Sequence, residues 1–210
     1  MAEAGKDSCF FCREFFFPSE TKRVFSCHKQ NMTKLLRGVL VGDYNVGKTS
    51  LVRRIFDNKW EPSQSTIGVE FRSGVVFDNT KISIWDTGGS ERYRSIIPMY
   101  FRNVDFIFIV LDKTDPNIND TYCYWKGLVR KHANPSTPYR VLVNKRDLVS
   151  KEDAVANIDS DAYYVSAKVD KNQHIINTLL PFFRTLIPLP VPKNISSISK
   201  PRDTVYTCCN

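Results

Sequence analysis

The stretch from Leu35 to Asn58 limits the possible folds more than any other part of the chain. Leu35 to Gly42 is an apolar run bounded by glycine, and Lys48 to Asn58, a few residues later, carries apolar residues at helical spacing. The first has the length of a buried strand and the second reads as a helix, so the unit is strand, loop, helix. Further strand-like runs follow at Val69 to Phe77, Thr80 to Asp86, Val104 to Leu111, Tyr139 to Val143 and Ala162 to Val165. Asp78-Asn79 has the composition of a tight hairpin turn between the first two. Val104 to Leu111 is almost wholly apolar, as a central parallel strand covered on both faces must be. Helical patterns at 118 to 133 and at Asn172 to Leu186 interleave with these strands, with Ile175, Ile176, Leu179, Leu180 and Phe183 on the apolar side of the second. Alternating strands and helices predict an α/β domain with a mostly parallel, six-stranded sheet and helices on both faces.

The loop of the first unit, Gly42-Asp43-Tyr44-Asn45-Val46-Gly47-Lys48-Thr49, fits G-x-x-x-x-G-K-[ST] in the context where that pattern has meaning, after a strand and before a helix. Successive N–H groups of such a loop point inward, and the helix start adds its positive end, so anionic phosphates are held there. Asp43 through Ser50 are therefore expected to surround the phosphates, with Lys48 reaching the β- and γ-phosphates and the Thr49 hydroxyl ligating Mg²⁺. Downstream, Asp86-Thr87-Gly88-Gly89 ends a strand at the edge where ligands of open α/β folds bind. An acid at position 86 can hold a metal-bound water, and Gly89 lets a backbone N–H approach a γ-phosphate. Asn144-Lys145-Arg146-Asp147 and Ser166-Ala167-Lys168 each follow a strand. The Asp147 carboxylate can accept from both N1–H and the amino group of guanine, a donor pair that adenine lacks.

These strings, in this order, resemble the motifs of the Ras superfamily of small GTPases over about residues 33 to 187. Finer strings are similar to the Rab family: Ile67-Gly68-Val69-Glu70-Phe71, Lys81-Ile82-Ser83-Ile84-Trp85, Glu91-Arg92-Tyr93 and Tyr100-Phe101-Arg102. The resemblance implies a P-loop GTPase domain over 34–187 that hydrolyses GTP slowly and recruits effectors in membrane trafficking. It makes Thr66 a second Mg²⁺ ligand, bound only with GTP, and gives the metal site as Thr49, Thr66 and Asp86. Trp60 becomes an aromatic packed edge-on to the base, and Asn144, Lys145, Asp147, Ser166, Ala167 and Lys168 join it in binding the guanine nucleotide. Ile67, Gly68, Phe71, Trp85 and Tyr100 become an effector surface. Implied partners are an exchange factor, a Rab-type activating protein, a GDP-dissociation inhibitor and escort protein, and effectors. The implied location is the cytoplasmic face of an internal membrane, with a cytosolic pool.

The chain departs from the family at points that matter. Ser90 stands where a glutamine orders the attacking water, and its side chain is too short to reach the same place. Gly88 replaces an alanine, which is expected to loosen the following loop. Tyr44 crowds the space that a catalytic arginine would enter. Slow intrinsic hydrolysis is expected, Lys48 and the degenerate Ser90 being the catalytic positions, and a GTP-locked scaffold is the alternative. Only 19 residues separate Asp147 from Ser166, so any helix between them is short.

The ends read differently. Residues 1–33 lack periodicity and form an expected disordered extension, with Met32 a second candidate start. Cys9, Cys12, Cys27 and His28 have zinc-ligand chemistry, but adjacent Cys27 and His28 fit poorly as paired ligands. Residues 188–210 are rich in proline and serine, a flexible tail ending Cys208-Cys209-Asn210, similar to Rab termini that carry two prenyl groups. Lys193, Lys200 and Arg202 add weak attraction to an anionic leaflet. Six cysteines, five of them outside the fold, make no disulfide framework, and no apolar run reaches the length of a membrane span. The net charge of +8 is dispersed, without a basic and aromatic stripe, so nucleic acid is not an expected partner, and a monomer is expected.

Overall fold

A computed structural model of the chain describes residues 35–62, 65–149, 158 and 161–187. Strands β1 (Leu35–Val41), β2 (Val69–Phe77), β3 (Thr80–Thr87), β4 (Phe106–Asp112), β5 (Tyr139–Asn144) and β6 (Tyr163–Tyr164) form one sheet in the order β2-β3-β1-β4-β5-β6. Only β2 runs antiparallel, paired with β3; every other neighbour is parallel. The β2–β3 connection is the expected tight turn, since Asp78 and Asn79 both take positive φ (40° and 57°), the conformation of hairpin turns matched to strand twist.

Three helices cover the sheet: α1 (Lys48–Asp57), α2 (Ile118–His132) and α3 (Asn172–Leu186). Leu51, Val52 and Ile55 of α1 and Ile175, Leu179, Phe182 and Phe183 of α3 pack with Leu36, Leu40, Phe106 and Phe108 on one face. On the other, Ile118, Tyr122, Trp125 and Val129 of α2 meet Val39, Val41, Ile107 and Ile109. Alternate residues of β1 and β4 thus enter opposite cores, the period-two consequence of a strand buried on both sides. Both cores are closed to solvent at their centres, with Leu36, Leu40, Ile107 and Trp125 fully buried.

Several details differ from the sequence expectation for physical reasons. Strand β4 begins at Phe106, because the turn at Arg102 and Asn103 (φ 60°) is followed by a short bend through Val104 and Asp105 before the chain extends. Helix α1 stops at Asp57, where Asn58 turns left-handed (φ 52°) and its N–H donates to the Arg54 carbonyl. In α3 the buried position next to Phe183 is taken by Phe182, and Leu180 is only half-buried. The helix continues through Pro181, whose missing N–H would ordinarily break it, since Leu179, Phe182 and Phe183 on either side are anchored in the core. Among the described residues no helix is long and apolar enough to cross a membrane. The expected extension, the cysteines and His28 within it, the tail with Cys208 and Cys209, and most of the span expected to hold a short helix after Asp147 lie outside the described residues.

Candidate functional site

The carboxyl ends of β1, β3 and β5 converge on a cleft of about 1150 Å³, lined by Tyr44, Asn45, Gly47 to Ser50, Trp60, Thr66, Gly89, Ser90, Asn144, Lys145, Asp147 and Ser166 to Lys168, among others. Its floor is the loop between β1 and α1. Gly47 caps α1 with φ 92°, and a Cβ there would lie 2.3 Å from Asn144 Nδ2, so only glycine lets the loop tighten against that side chain. Asn144 uses both ends of its amide: Nδ2 donates to the Val46 carbonyl (2.9 Å) and Oδ1 accepts from the Ala167 N–H (3.0 Å). It is the staple between the phosphate loop and the Ser166 loop, and the buried Val46 serves through its backbone.

Lys48 is 5% exposed and donates to the carbonyls of Gly42 (2.8 Å) and Asp43 (2.7 Å). Burial pulls its pKa down to about 8, against the opposing pull of Asp86 and Asp43. Gly89 passes so close to it that a Cβ would lie 2.5 Å from Lys48 Nζ and 2.3 Å from the Asp43 carbonyl oxygen.

Asp86, Thr49 and Thr66 form one oxygen cluster. Thr49 Oγ1 donates to Asp86 Oδ2 (2.6 Å), which leaves Thr66 as the donor in the 2.7 Å contact between the two threonine hydroxyls. Asp86 Oδ1 is buried and finds no hydrogen-bond partner among the described residues. Burial raises the Asp86 pKa to about 6, although the Thr49 hydrogen bond and Lys48 oppose the rise. An all-oxygen donor set with one unpartnered carboxylate oxygen fits a hard divalent cation such as Mg²⁺.

At the opposite end of the cleft, Lys145 is left-handed (φ 60°) and its ammonium pairs with Asp112 at 2.6 Å. Asp147 Oδ1 accepts from Ser166 Oγ at 2.5 Å. Lys168 lies over the Trp60 ring, 5.6 Å from its centre, so the two side chains expected near the base meet across the cleft mouth. Arg54 of α1, which no motif marks, donates to the carbonyls of Ala167 (2.9 Å) and Lys168 (3.0 Å) and holds their loop from beneath.

Some residues do something other than their motif promises. The Asp43 side chain lies outside the cleft: its Oδ1 accepts from Trp125 Nε1 of α2 (3.0 Å) and from Arg94 Nη2 (2.9 Å). Asp43 contributes to the loop through its carbonyl, and its carboxylate is a strut to the segment after β3. Gly88, expected to loosen that segment, is itself stitched down, its N–H donating to the Gly68 carbonyl at 2.7 Å. The Ser90 hydroxyl is engaged by Arg92 Nε at 3.3 Å. Tyr44 is 58% exposed, and its hydroxyl accepts from Ser65 Oγ at 3.3 Å, so it bridges the phosphate loop to the segment carrying Thr66.

Outside the cleft, Phe71 and Trp85 pair across β2 and β3 with ring centres 4.6 Å apart, and Trp85 continues to Tyr100 at 5.5 Å. Ile67 is 86% exposed beside the half-buried Gly68. Trp85 both joins this row and packs against the core under α2. His132 and His174 are exposed helix residues.

A family model described as "Ras of Complex, Roc, domain of DAPkinase" matches residues 37–147, more than half of the 210-residue chain. The chain is 37% identical over 142 residues to the "Putative ras-related protein Rab-5B" of Dictyostelium discoideum, covering 66% of this chain and 65% of that protein. It is 40% identical over 139 residues to the "GTP-binding protein ypt3" of Schizosaccharomyces pombe, covering 62% and 65%. Over another 139 residues it is 36% identical to the "Ras-related protein Rab11E" of Lotus japonicus, covering 62% and 64%. The chain therefore spans a little under two-thirds of the length of the curated relatives it matches. The matched residues carry the phosphate loop, the oxygen cluster and Asp147, and on that footing the chain belongs to the Ras superfamily of small GTPases, with Rab proteins as its relatives.

Proposed function

We propose that the chain is a Rab-like GTP/GDP switch that hydrolyses GTP slowly and recruits effectors at the cytoplasmic face of an internal membrane. The observation that carries this reading is the Thr49, Thr66 and Asp86 cluster beside Lys48. Thr66 reaches it from the segment between α1 and β2, so a ligand that engages Thr66 holds that segment and its loss releases it. Mg²⁺ would be held by Thr49, Thr66 and Asp86, and when bound it neutralises charge on the β- and γ-phosphates. Lys48 meets the same phosphates, and the Gly89 N–H faces the terminal one. Ser166 holds Asp147 and Asp112 holds Lys145 toward the guanine, while Asn144 ties the phosphate loop to the Ser166 loop beside them. Hydrolysis joins a water oxygen to the γ-phosphorus as the bond to the β-phosphate oxygen breaks, giving GDP and inorganic phosphate.

Effectors would read Phe71, Trp85 and Tyr100 with Ile67 and Gly68. Prenyl groups on Cys208 and Cys209 would hold the membrane stably, since two lipids are needed where one binds reversibly. Exchange factor, activating protein, dissociation inhibitor and escort protein complete the cycle, with a soluble cytosolic pool.

A second reading, a GTP-locked scaffold, draws on two observations: the Ser90 hydroxyl is turned to Arg92, and Tyr44 spans the mouth to Ser65. Single-turnover hydrolysis of preloaded GTP separates the two. The switch reading expects a slow rate that a Rab-type activating domain accelerates, and a Ser90→Gln variant about tenfold faster, the worth of one hydrogen bond to the attacking water. No turnover in any of the three favours the scaffold, and a Ser90→Gln rate equal to that of the unsubstituted chain refutes the assignment of Ser90.

A further inference from the structure

Asp170 belongs to none of the motifs, yet it is 6% exposed and ties together the two loops that face the base. Its Oδ1 accepts from Arg146 Nη2 at 2.5 Å, and its Oδ2 accepts from Arg146 Nε at 3.2 Å and from the Ser166 N–H at 2.7 Å. Arg146 sits between Lys145 and Asp147, and its own N–H donates to the Val165 carbonyl. Ser166 in turn donates its hydroxyl to Asp147. The chain of contacts is closed: Asp147 to Ser166, Ser166 to Asp170, Asp170 to Arg146, and Arg146 back to Asp147 along the backbone.

We propose that Arg146 and Asp170 are positioning residues that hold Asp147 in register with the guanine edge, and so set base selectivity and nucleotide residence time. The inference rests on the guanine reading of the site. Solvent-exposed ion pairs contribute little, but this one is a two-pronged guanidinium on a buried carboxylate that also receives a backbone N–H. The planar fork fixes direction as well as distance, which an ammonium cannot do. Burial pushes the Asp170 pKa up, but the Arg146 hydrogen bond and the Ser166 N–H outweigh it and hold the carboxyl below its ordinary value. Apart from Arg146, the basic side chain paired with that carboxylate among the described residues is His174, whose Nε2 lies 4.0 Å from Oδ1. Without Asp170 both ends of the ring lose their common acceptor.

The test is release of fluorescently labelled GDP and of inosine diphosphate, which lacks the 2-amino group, from the full chain. Asp170→Ala and Arg146→Ala are each expected to release GDP about tenfold faster, the effect of losing one charge-assisted hydrogen-bond network. Inosine diphosphate should be accelerated less, because it never used the second acceptor position of Asp147. Arg146→Lys should fall between, and Arg146→Ala/Asp170→Ala should be no faster than either single variant, as members of one network are non-additive. Since Arg146 is partly exposed, Arg146→Met supplies a folded variant if Asp170→Ala does not fold. Equal acceleration of both nucleotides, additive singles or unchanged GDP release would overturn the positioning role. An unsubstituted chain that releases GDP as fast as ADP would overturn the guanine reading instead.

Discussion

Asp147→Asn is expected to weaken GDP binding by about 10²- to 10³-fold and to shift preference toward xanthine nucleotides. Asp147 lines the cleft at the end where Lys145, Lys168 and Trp60 gather. As a carboxylate it presents two acceptors to the N1–H and 2-amino donors of guanine. Asparagine turns one acceptor into a donor, which then faces the guanine amino group donor to donor. Xanthine has a carbonyl at that position and restores the match. The Ser166 hydroxyl contact can persist, because the Asn carbonyl oxygen still accepts, so the fold should tolerate the change. Competition by XDP and GDP for a fluorescent analogue measures the outcome. Unchanged GDP affinity would remove Asp147 from base recognition.

Lys48→Met is expected to lower affinity for GDP and GTP by about 10²-fold or more, since a lysine that meets two phosphates makes charge-assisted contacts worth about 1.5–3 kcal/mol each. Methionine keeps the apolar stem in its buried slot, so the loss is not one of packing. Burial holds the Lys48 pKa near 8, and an adjacent phosphate favours the charged form. Affinity should therefore weaken as pH rises above about 8, more steeply in the unsubstituted chain than in Lys48→Met. Guanine itself loses its N1 proton in alkali in both proteins, so the difference between the two curves isolates the lysine. Parallel curves would contradict the placement of Lys48 beside the phosphates.

What could be read in the sequence was what depends on neighbours along the chain. The Gly42 to Thr49 loop was legible because its glycines, lysine and threonine act within eight consecutive residues, and the hairpin at Asp78-Asn79 because positive φ is a local demand. The row Phe71, Trp85 and Tyr100 followed from resemblance, and the rings do meet in space. What escaped was carried by contacts across long separations. Arg54 holds residues 113 and 114 positions away, and Asn144 staples two loops that approach each other only after the sheet has formed. Asp43 looked like a phosphate-loop residue, but its carboxylate answers the buried indole N–H of Trp125, 82 residues on. No local pattern announces such a partner, because a buried donor's need is set by packing.

The cleft is proposed to hold a guanine nucleotide with a divalent cation. Release of fluorescent GDP and ADP from the purified full chain, with Mg²⁺ and after chelation, tests it most directly. Slow GDP release, an ADP complex at least about 10²-fold weaker because adenine lacks the donor pair, and faster GDP release once Mg²⁺ is removed are the expected results. ADP held as tightly as GDP, or GDP release indifferent to chelation, would contradict it.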